Sequence, residues 1–343
     1  MLANSSIQSM QTGFETLNLI NPICQALHEE KYILPTPIQE QAIPYLVKGR
    51  DLLGCAQTGT GKTAAFALPI LQWLEQNREA VSSKDVRSLI LAPTRELAVQ
   101  IGESFRVYGR HLRIKQAVIY GGVRPALQIR ALSRGVDILV ATPGRLLDLL
   151  NQRQLRLDKV GVLVLDEADR MLDMGFAPQL NQILDALPDD RQTLLFSATM
   201  PSNLGDLARM SLKDPVRAMV AKSATPAEGV NHMLHYTTPT DKTQLLLTLL
   251  REKRESVLVF TRTKHRADRL GETLDRGGHR VAVLHGGRRL TQRRSALEGF
   301  RRGRFQILVA TDVAARGLDV ANIGHVVNYD LPNVPEDLSL IHI

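Results

Sequence analysis

The chain has 343 residues, of which 44% are hydrophobic, so it is large and apolar enough for two folded domains and is not a disordered chain. No apolar run is long enough to span a membrane, and we expect no signal peptide. Two cysteines, Cys24 and Cys55, are too few for a disulfide framework or a zinc site, which favours the reducing cytoplasm. The net charge of +8 favours a polyanionic partner only slightly, because a modest basic excess often serves solubility alone. The aromatic content of 4% favours a protein that grips the phosphodiester backbone over one that stacks each base on an aromatic side chain.

Residues 14–50 are predicted to form helices and turns, with a new helix over residues 36–45. Short apolar runs then alternate with helical segments, a pattern that is typical of parallel strands buried on both faces. The first series of predicted strands covers residues 52–55, 88–92, 116–120, 137–141, 160–165 and 193–197. Residues 213–230 form a short, polar segment that is rich in Pro and Ala, which predicts a last strand followed by a linker.

A second series of predicted strands covers residues 233–237, 257–261, 281–284, 306–310 and 326–329. The sequence therefore predicts two parallel-sheet α/β domains in tandem, residues 1–221 and 232–343, joined by a linker over residues 222–231. Ligands of such sheets bind at the carboxyl ends of the strands, where nearly every motif below is located.

The segment AQTGTGKT, residues 56–63, lies between the first predicted strand and a helix, as a phosphate-binding loop does. Glycines let backbone N–H groups approach phosphate oxygens. Lys62 is expected to reach the β- and γ-phosphates of a nucleotide, and the Thr63 hydroxyl is placed for Mg²⁺. Ala56 replaces the usual first glycine, and a plain glycine-rich turn is the alternative. The predicted nucleotide-binding residues of this loop are Gln57, Thr58, Gly59, Thr60, Gly61, Lys62 and Thr63.

The segment VLVLDEAD, residues 162–169, is a predicted strand that ends in two carboxylates. Asp166 is a candidate Mg²⁺ ligand, and Glu167 is a candidate for orienting the attacking water. An acidic pair after a strand is equally consistent with a helix cap when taken alone. Together with the Lys62 loop in the same domain, it indicates phosphoryl transfer.

Residues 166–169 spell DEAD, and the chain resembles the DEAD-box RNA helicases, most closely bacterial members of the RhlE type, from about residue 14 to residue 337. The resemblance implies two RecA-like domains, an ATP hydrolase (an acid-anhydride hydrolase) with Mg²⁺, and an RNA partner. The matching motifs besides DEAD are AQTGTGKT, PTPIQ (35–39), PTREL (93–97), the Gly121-Gly122 doublet, TPGR (142–145), SAT (197–199) and ATDVAARGLD (310–319).

For the nucleotide, the resemblance implies that Gln39 hydrogen-bonds the adenine edge and that Phe14 packs on the base. Arg316 is implied to bind the phosphates and Asp319 the ribose, across a cleft between the domains. Ser197 and Thr199 are implied to link hydrolysis to strand separation. The alternatives are a solvated helix residue for Gln39, a local ion pair for Arg316 and Asp319, and a simple turn for SAT.

For RNA, the resemblance implies contacts from loops and helix starts, which grip phosphates without reading sequence. Thr94 and Thr142 are equally consistent with helix N-caps. In the second domain Leu290 replaces a glutamine that the family often has, and neighbouring arginines are candidates to compensate. The implied RNA-binding residues are Pro93, Thr94, Arg95, Gly121, Gly122, Thr142, Pro143, Gly144, Arg145, Thr261, Arg293, Thr311 and Asp312.

After residue 337 the chain reads LSLIHI, where the family continues into a motif that supplies arginine fingers. We therefore expect a fragment whose second domain is incomplete at its C-terminus. Loss of such arginines typically costs on the order of 10³ in rate, so we expect these residues to bind ATP but hydrolyse it slowly.

The predicted function is ATP-dependent local opening of short RNA duplexes and remodelling of ribonucleoprotein, with possible ribosome-assembly partners and no membrane. One alternative is an ATP-gated clamp that holds RNA without unwinding it. Another is a DNA helicase of the same superfamily, which dependence on the 2′-hydroxyl would exclude.

Overall fold

A computed structural model describes residues 13–56, 59–199, 202–219, 231, 233–251, 255–311 and 323–331 of the chain. The chain divides into two compact units, Met1–Lys222 and Ser223–Ile343. Among the described residues, no helix is both long and apolar enough to cross a membrane. The predicted linker, residues 222–231, stays a prediction because only residue 231 of it is described.

The first unit alternates helices and strands along the chain. Its helices are α1 (Asn21–Glu29), α2 (Pro37–Leu46), α3 (Lys62–Gln76), α4 (Arg95–Tyr108), α5 (Ala126–Leu132), α6 (Pro143–Asn151), α7 (Ala168–Asp173), α8 (Ala177–Asp185) and α9 (Ser202–Ser211), preceded by a short 3₁₀ turn, Glu15–Leu17. Its strands are β1 (Leu52–Cys55), β2 (Val86–Leu91), β3 (Gln116–Ile119), β4 (Val136–Ala141), β5 (Val162–Leu165), β6 (Gln192–Ser197) and β7 (Val216–Met219).

The seven strands form one parallel sheet in the order β3-β4-β2-β5-β6-β1-β7. The central strands are buried on both faces, because each face of the sheet packs against helices and successive side chains of a strand point to opposite faces. In β2, for example, Ile90 belongs to one apolar cluster, and Leu89 and Leu91 belong to the other. All strands are parallel, so their carboxyl ends meet at one edge of the sheet.

The second unit contains α10 (Lys242–Arg251), β8 (Val257–Thr261), α11 (Lys264–Arg276), β9 (Val281–Leu284), α12 (Leu290–Arg301), β10 (Ile307–Thr311) and β11 (His325–Asn328). Its described strands form a parallel sheet in the order β11-β8-β10-β9. The predicted fold class, two tandem parallel-sheet α/β domains, is therefore confirmed.

One predicted strand is wrong. Residues 233–237 form neither strand nor helix, although their sequence has the apolar and aromatic side chains that favour strands. Met233, Leu234 and Tyr236 are 80%, 69% and 92% exposed. Strand propensity reflects packing on a half-buried surface, and these side chains have no such surface in the structure.

Candidate active site and nucleic-acid interface

The carboxyl edge of the first sheet is divided into two halves. AQTGTGKT, DEAD and SAT, the motifs assigned to the phosphates and their hydrolysis, follow β1, β5 and β6, which are adjacent in the sheet although far apart in sequence. The motifs implied to hold RNA follow β2, β3 and β4, which form the other half. The two groups of residues therefore lie side by side along a single edge, and they meet where β5 pairs with β2.

The described part of the phosphate loop runs from Gly59 into the start of α3. Gly61 caps this helix in a left-handed conformation, with φ of 90°, which a side chain would strain. The Lys62 side chain is buried, and its Nζ donates a hydrogen bond to Ala56 O at 2.8 Å. Thr60 and Thr63 are partly exposed. The ammonium group thus lies beside the residue that follows β1, at the N-terminus of a helix whose dipole also favours anions.

Two further loop residues, Gln57 and Thr58, lie outside the described residues, and their predicted nucleotide contacts stay predictions.

Gln39 lies against the phosphate loop. Its Nε2 donates to Gly61 O at 3.0 Å, and its Oε1 accepts from Thr36 N at 2.9 Å. The side chain is 1% exposed, so the alternative of a solvated helix residue is wrong. The implied contact with adenine stays a prediction, but the structure adds a direct link from PTPIQ to the loop. Nothing in the local sequence pattern indicated that link.

Phe14 is buried in the core of the first unit, at 1% exposure, and lies edge-on to Tyr32 with ring centroids 6.4 Å apart. Gln72 of α3 fastens the segment that follows, because its Oε1 accepts from Ile20 N at 2.9 Å and its Nε2 donates to Asn18 O at 3.0 Å. Sequence analysis missed Gln72. In this conformation Phe14 presents little surface, and its packing on a base stays a prediction.

The acidic pair at the end of β5 is buried, with Asp166 at 2% and Glu167 at 6% exposure. Burial raises the pKa of Asp166 to about 6; the positive charge of Lys62 opposes this rise, and the negative charge of Glu167 adds to it. Lys62 and Asp166 are therefore close enough to interact electrostatically, as a shared phosphate site requires.

Glu167 has a left-handed backbone, with φ of 52°, which is uncommon for a residue with a side chain and is often found at active sites. Its Oε2 accepts a hydrogen bond from the buried Arg170 at 3.1 Å. The carboxylate is thus held in one orientation, which suits a group that positions a water molecule.

Asp169 joins DEAD to SAT. Its Oδ2 accepts from Thr199 Oγ1 at 2.7 Å, from Thr199 N at 2.8 Å and from Ala198 N at 3.2 Å. Ser197 Oγ in turn donates to Thr199 O at 2.5 Å. These bonds connect the end of β5 to the end of β6, so SAT is more than a simple turn. The implied coupling role of Ser197 and Thr199 stays a prediction.

The residues present fit a Mg²⁺ ion that arrives with a nucleotide. Asp166 provides a buried carboxylate whose raised pKa indicates that its negative charge lacks full compensation, and Thr63 provides a hydroxyl. Magnesium is usually held by one or two protein oxygens together with phosphates and water. The described residues contain no group of three or more His, Cys, Asp or Glu side chains that could hold a metal by themselves.

In the other half of the edge, Thr94 caps α4, because its Oγ1 accepts from Leu97 N at 3.3 Å. Pro93 before it is buried. Arg95 lies on the Gly121-Gly122 doublet: a Cβ at Gly122 would be 2.5 Å from the Arg95 Cζ, and φ there is 79°. Glycine at position 122 therefore suits both the left-handed backbone and the close approach of Arg95.

Thr142 and Pro143 begin α6, with Thr142 in the N-cap position but without a side-chain capping bond. A Cβ at Gly144 or at Gly121 would meet nothing within 4 Å, so both backbones are open to a ligand. The Arg145 side chain, in contrast, is only 10% exposed. Backbone groups at this helix N-terminus therefore provide accessible donors for a phosphate.

In the second unit, Thr261 and Thr311 are paired residues at the carboxyl ends of β8 and β10, and both side chains are buried. Arg293 lies in α12 and is 9% exposed. The structure thus places Thr261 and Thr311 at a common edge, and their RNA contacts, like that of Arg293, stay predictions. Three predicted residues, Asp312, Arg316 and Asp319, lie outside the described residues.

Comparison with known families gives two matches, to the DEAD/DEAH box helicase model over residues 36–207 and to the helicase conserved C-terminal domain over residues 228–342. The DEAD-box ATP-dependent RNA helicase 30 of Arabidopsis thaliana is 44% identical over 327 residues, which cover 94% of this chain and 55% of that protein. The ATP-dependent RNA helicase DeaD of Escherichia coli (strain K12) is 44% identical over 324 residues, 94% of this chain and 51% of that protein. The chain thus spans about half the length of these relatives.

Solved structures show the same fold. Dbp5 of S. cerevisiae bound to RNA and ADP BeF3 is 31% identical, with a TM-score of 0.82 over 95% of this chain and 82% of that one. A DEAD box protein from the hyperthermophile Methanococcus jannaschii is 34% identical, with a TM-score of 0.58 over 96% of this chain and 88% of that one. The finer likeness to the RhlE type stays a prediction.

Proposed function

Because the chain belongs to the DEAD/DEAH box helicase family, we propose that it is an ATP-dependent RNA helicase that couples ATP hydrolysis to the local opening of short RNA duplexes. The observation that carries this proposal is the division of one sheet edge into two adjoining halves. One half collects buried charges suited to a triphosphate, and the other collects glycines and helix N-termini suited to a phosphodiester backbone. The proposed compartment is the cytoplasm.

In the nucleotide half, Lys62 lies where it can neutralise the charge of the β- and γ-phosphates. Thr63 and Asp166 would hold Mg²⁺, which when bound neutralises charge on the same phosphates. Glu167, oriented by Arg170, would position the attacking water and accept its proton. The bonds from Asp169 to the SAT segment give the acidic pair a direct connection to β6.

In the other half, the proposed RNA contacts come from backbone groups at Gly121, Gly144 and the start of α6, together with the Thr94 segment. Such contacts are made to phosphate and sugar groups, so they do not distinguish one base sequence from another. The proposed partner is therefore RNA of any sequence, single-stranded or in a short duplex. Ribonucleoprotein and ribosome-assembly partners remain proposals of the same kind.

The test is binding of a short single-stranded RNA with and without a non-hydrolysable ATP analogue, followed by strand release from a short RNA duplex with ATP. We expect the analogue to tighten RNA binding, and we expect Lys62→Ala to abolish that effect. Lys48→Ala, which removes an exposed lysine after α2, is the matched control and should behave as the unmodified chain. ATP hydrolysis is measured in the same samples.

The proposal would be contradicted if RNA affinity changed neither on addition of the analogue nor on the substitution Lys62→Ala. Tight nucleotide-dependent binding without strand release would favour an RNA clamp. Equal binding of DNA and RNA of the same sequence would favour a DNA helicase, because RNA recognition depends on the 2′-hydroxyl.

A further inference from the structure

The loop that carries the Gly121-Gly122 doublet is held by two side chains from elsewhere in the fold. We define the GG loop as residues 120–123. Gln128 of α5 donates from Nε2 to Tyr120 O at 3.1 Å, and Arg145 of α6 donates from Nη2 to Val123 O at 3.1 Å. The two side chains also bond to each other, because Arg145 Nη1 donates to Gln128 Oε1 at 2.8 Å. One continuous hydrogen-bonded bridge thus links both ends of the GG loop to α6.

The bridge is buried. Gln128 is 8% exposed, and the side chain of Arg145 is 10% exposed. Two of the three guanidinium nitrogens donate to protein oxygens, and the third, Nε, lies 4.0 Å from Asp148 Oδ2. The guanidinium therefore has little surface for a phosphate, although an arginine in this motif is implied by the resemblance to bind RNA.

We propose that Arg145 acts as a positioning residue whose partner is Gln128, and that the two fix the GG loop relative to the N-terminus of α6. The proposal rests on the proposed RNA-binding function of this edge. In it, the phosphates are met by backbone groups of the loop and of the helix start, where Gly121 and Gly144 are open. Breaking the bridge at either residue would misplace the loop without removing a charge that touches RNA.

The two roles of Arg145 predict different salt dependence. A side chain that neutralises one phosphate contributes about 0.7 to the slope of log affinity against log salt for single-stranded nucleic acid. Replacing a positioning residue leaves that slope unchanged. In a double-mutant cycle, the RNA affinity lost on replacing the residue overlaps with that lost on replacing its partner, so the two losses do not add. Gln128 is uncharged, so it provides a reference for pure loss of positioning.

The experiment measures RNA affinity over a range of salt concentrations, with a non-hydrolysable ATP analogue, for Gln128→Ala, Arg145→Ala and the double variant. We expect each single variant to weaken binding by about threefold to tenfold, as for loss of buried hydrogen bonds. We expect the double variant to be no weaker than the worse single one, and all salt slopes to equal that of the unmodified chain.

Two controls accompany these variants. Gln152→Ala removes an exposed glutamine after α6, and Arg130→Ala removes an exposed arginine on the helix that carries Gln128. Gln128→Glu keeps an acceptor for Arg145 but replaces the donor to Tyr120 O with a carboxylate oxygen that repels that carbonyl, so its RNA affinity should be lower than that of the unmodified chain. Affinity for the nucleotide analogue, measured for every variant, reports whether the adjoining half of the edge is folded.

The proposal would be overturned if Arg145→Ala reduced the magnitude of the salt slope by about 0.7, if Gln128→Ala left RNA affinity unchanged, and if the affinity losses of the two variants were additive. Hydrogen exchange of residues 120–125 gives a readout that does not depend on RNA. Faster exchange there in both single variants supports the bridge, and unchanged exchange overturns it. If the unmodified chain bound no RNA, the proposed function would fail, and the exchange data would still decide whether the bridge holds the loop.

Discussion

Asp169 accepts the hydroxyl hydrogen of Thr199 at 2.7 Å, and the same carboxylate oxygen also accepts two backbone N–H groups of the SAT segment. We predict that Asp169→Ala lowers the free energy of unfolding of the first unit by about 2–4 kcal/mol, because three partly buried donors lose their acceptor. Thr199→Ala removes one bond and should cost about 1 kcal/mol. Chemical denaturation measures both values.

Asp173→Ala is the control for that pair, since Asp173 is exposed at the end of α7 and should leave stability unchanged. If SAT couples hydrolysis to strand separation, Thr199→Ala should reduce duplex release far more than ATP hydrolysis. Equal loss of both activities would speak against that coupling role.

Gly61 provides a second prediction. A Cβ there would overlap the amide nitrogen of Gln39 and lie 2.8 Å from the Thr36 hydroxyl, whereas a Cβ at Gly59 would meet nothing within 4 Å. Both glycines have positive φ, 90° and 80°. Gly61→Ala should therefore destabilise the unit by roughly 1–3 kcal/mol more than Gly59→Ala, because overpacking adds to backbone strain.

Thermal and chemical unfolding of the two alanine variants measure that difference, and calorimetric titration with ADP measures its effect on binding. Equal stability of the two variants would show that Gln39 can move away from the loop without lowering the free energy of unfolding.

Glu167 provides a third prediction. Glu167→Gln should slow ATP hydrolysis by roughly 10²–10⁴-fold, because an amide cannot accept the proton of the attacking water. Nucleotide affinity should stay within about threefold, since the amide oxygen can still accept from Arg170 and no phosphate contact is lost. Steady-state hydrolysis and nucleotide titration give the two numbers.

Asp173→Asn makes the same chemical change at an exposed position and serves as its control. A Glu167→Gln variant that hydrolyses ATP at the unmodified rate would exclude Glu167 as the group that activates water.

Asp330 provides a prediction on pH. Burial opposes its ionisation, but bonds from Arg262 N at 3.0 Å, Lys242 at 3.2 Å and Arg266 at 2.7 Å outweigh that effect and hold its pKa below the usual range. A lowered pKa in the folded state stabilises the fold above the unfolded-state pKa, near 3.9, and that stability is lost as pH falls through the folded-state value.

Asp330→Asn should therefore destabilise the second unit at pH 7, and its difference from the unmodified chain should shrink in acid. Hydrogen exchange of β8 amides at several pH values measures this difference. Asp275→Asn, at an exposed position of α11, is the control. A difference that does not change with pH would show that the ionised form of Asp330 contributes nothing.

Local chemistry in the sequence predicted the described strands to within one or two residues, except for β7, which it located only within residues 213–230, and for residues 233–237, which form no strand. The same chemistry pointed to the glycine loop and to the acidic pair of DEAD, whose roles stay predictions. Residue type and local order are enough to recognise long apolar runs, glycines that adopt positive φ and carboxylates that follow a strand. The family resemblance then named the remaining motifs, and the comparisons confirmed that family.

Only the tertiary structure decided which groups touch. The adjacency of β1, β5 and β6 is set by crossover order, which strand patterns do not encode. Gln39, Gln72 and Gln128 are ordinary polar residues in sequence, and each becomes a specific connector because folding brings two backbone or side-chain groups within about 3 Å of its amide. Phe14 and the Arg145 guanidinium are buried for the same reason, since packing against distant segments, and not residue type, decides what stays accessible.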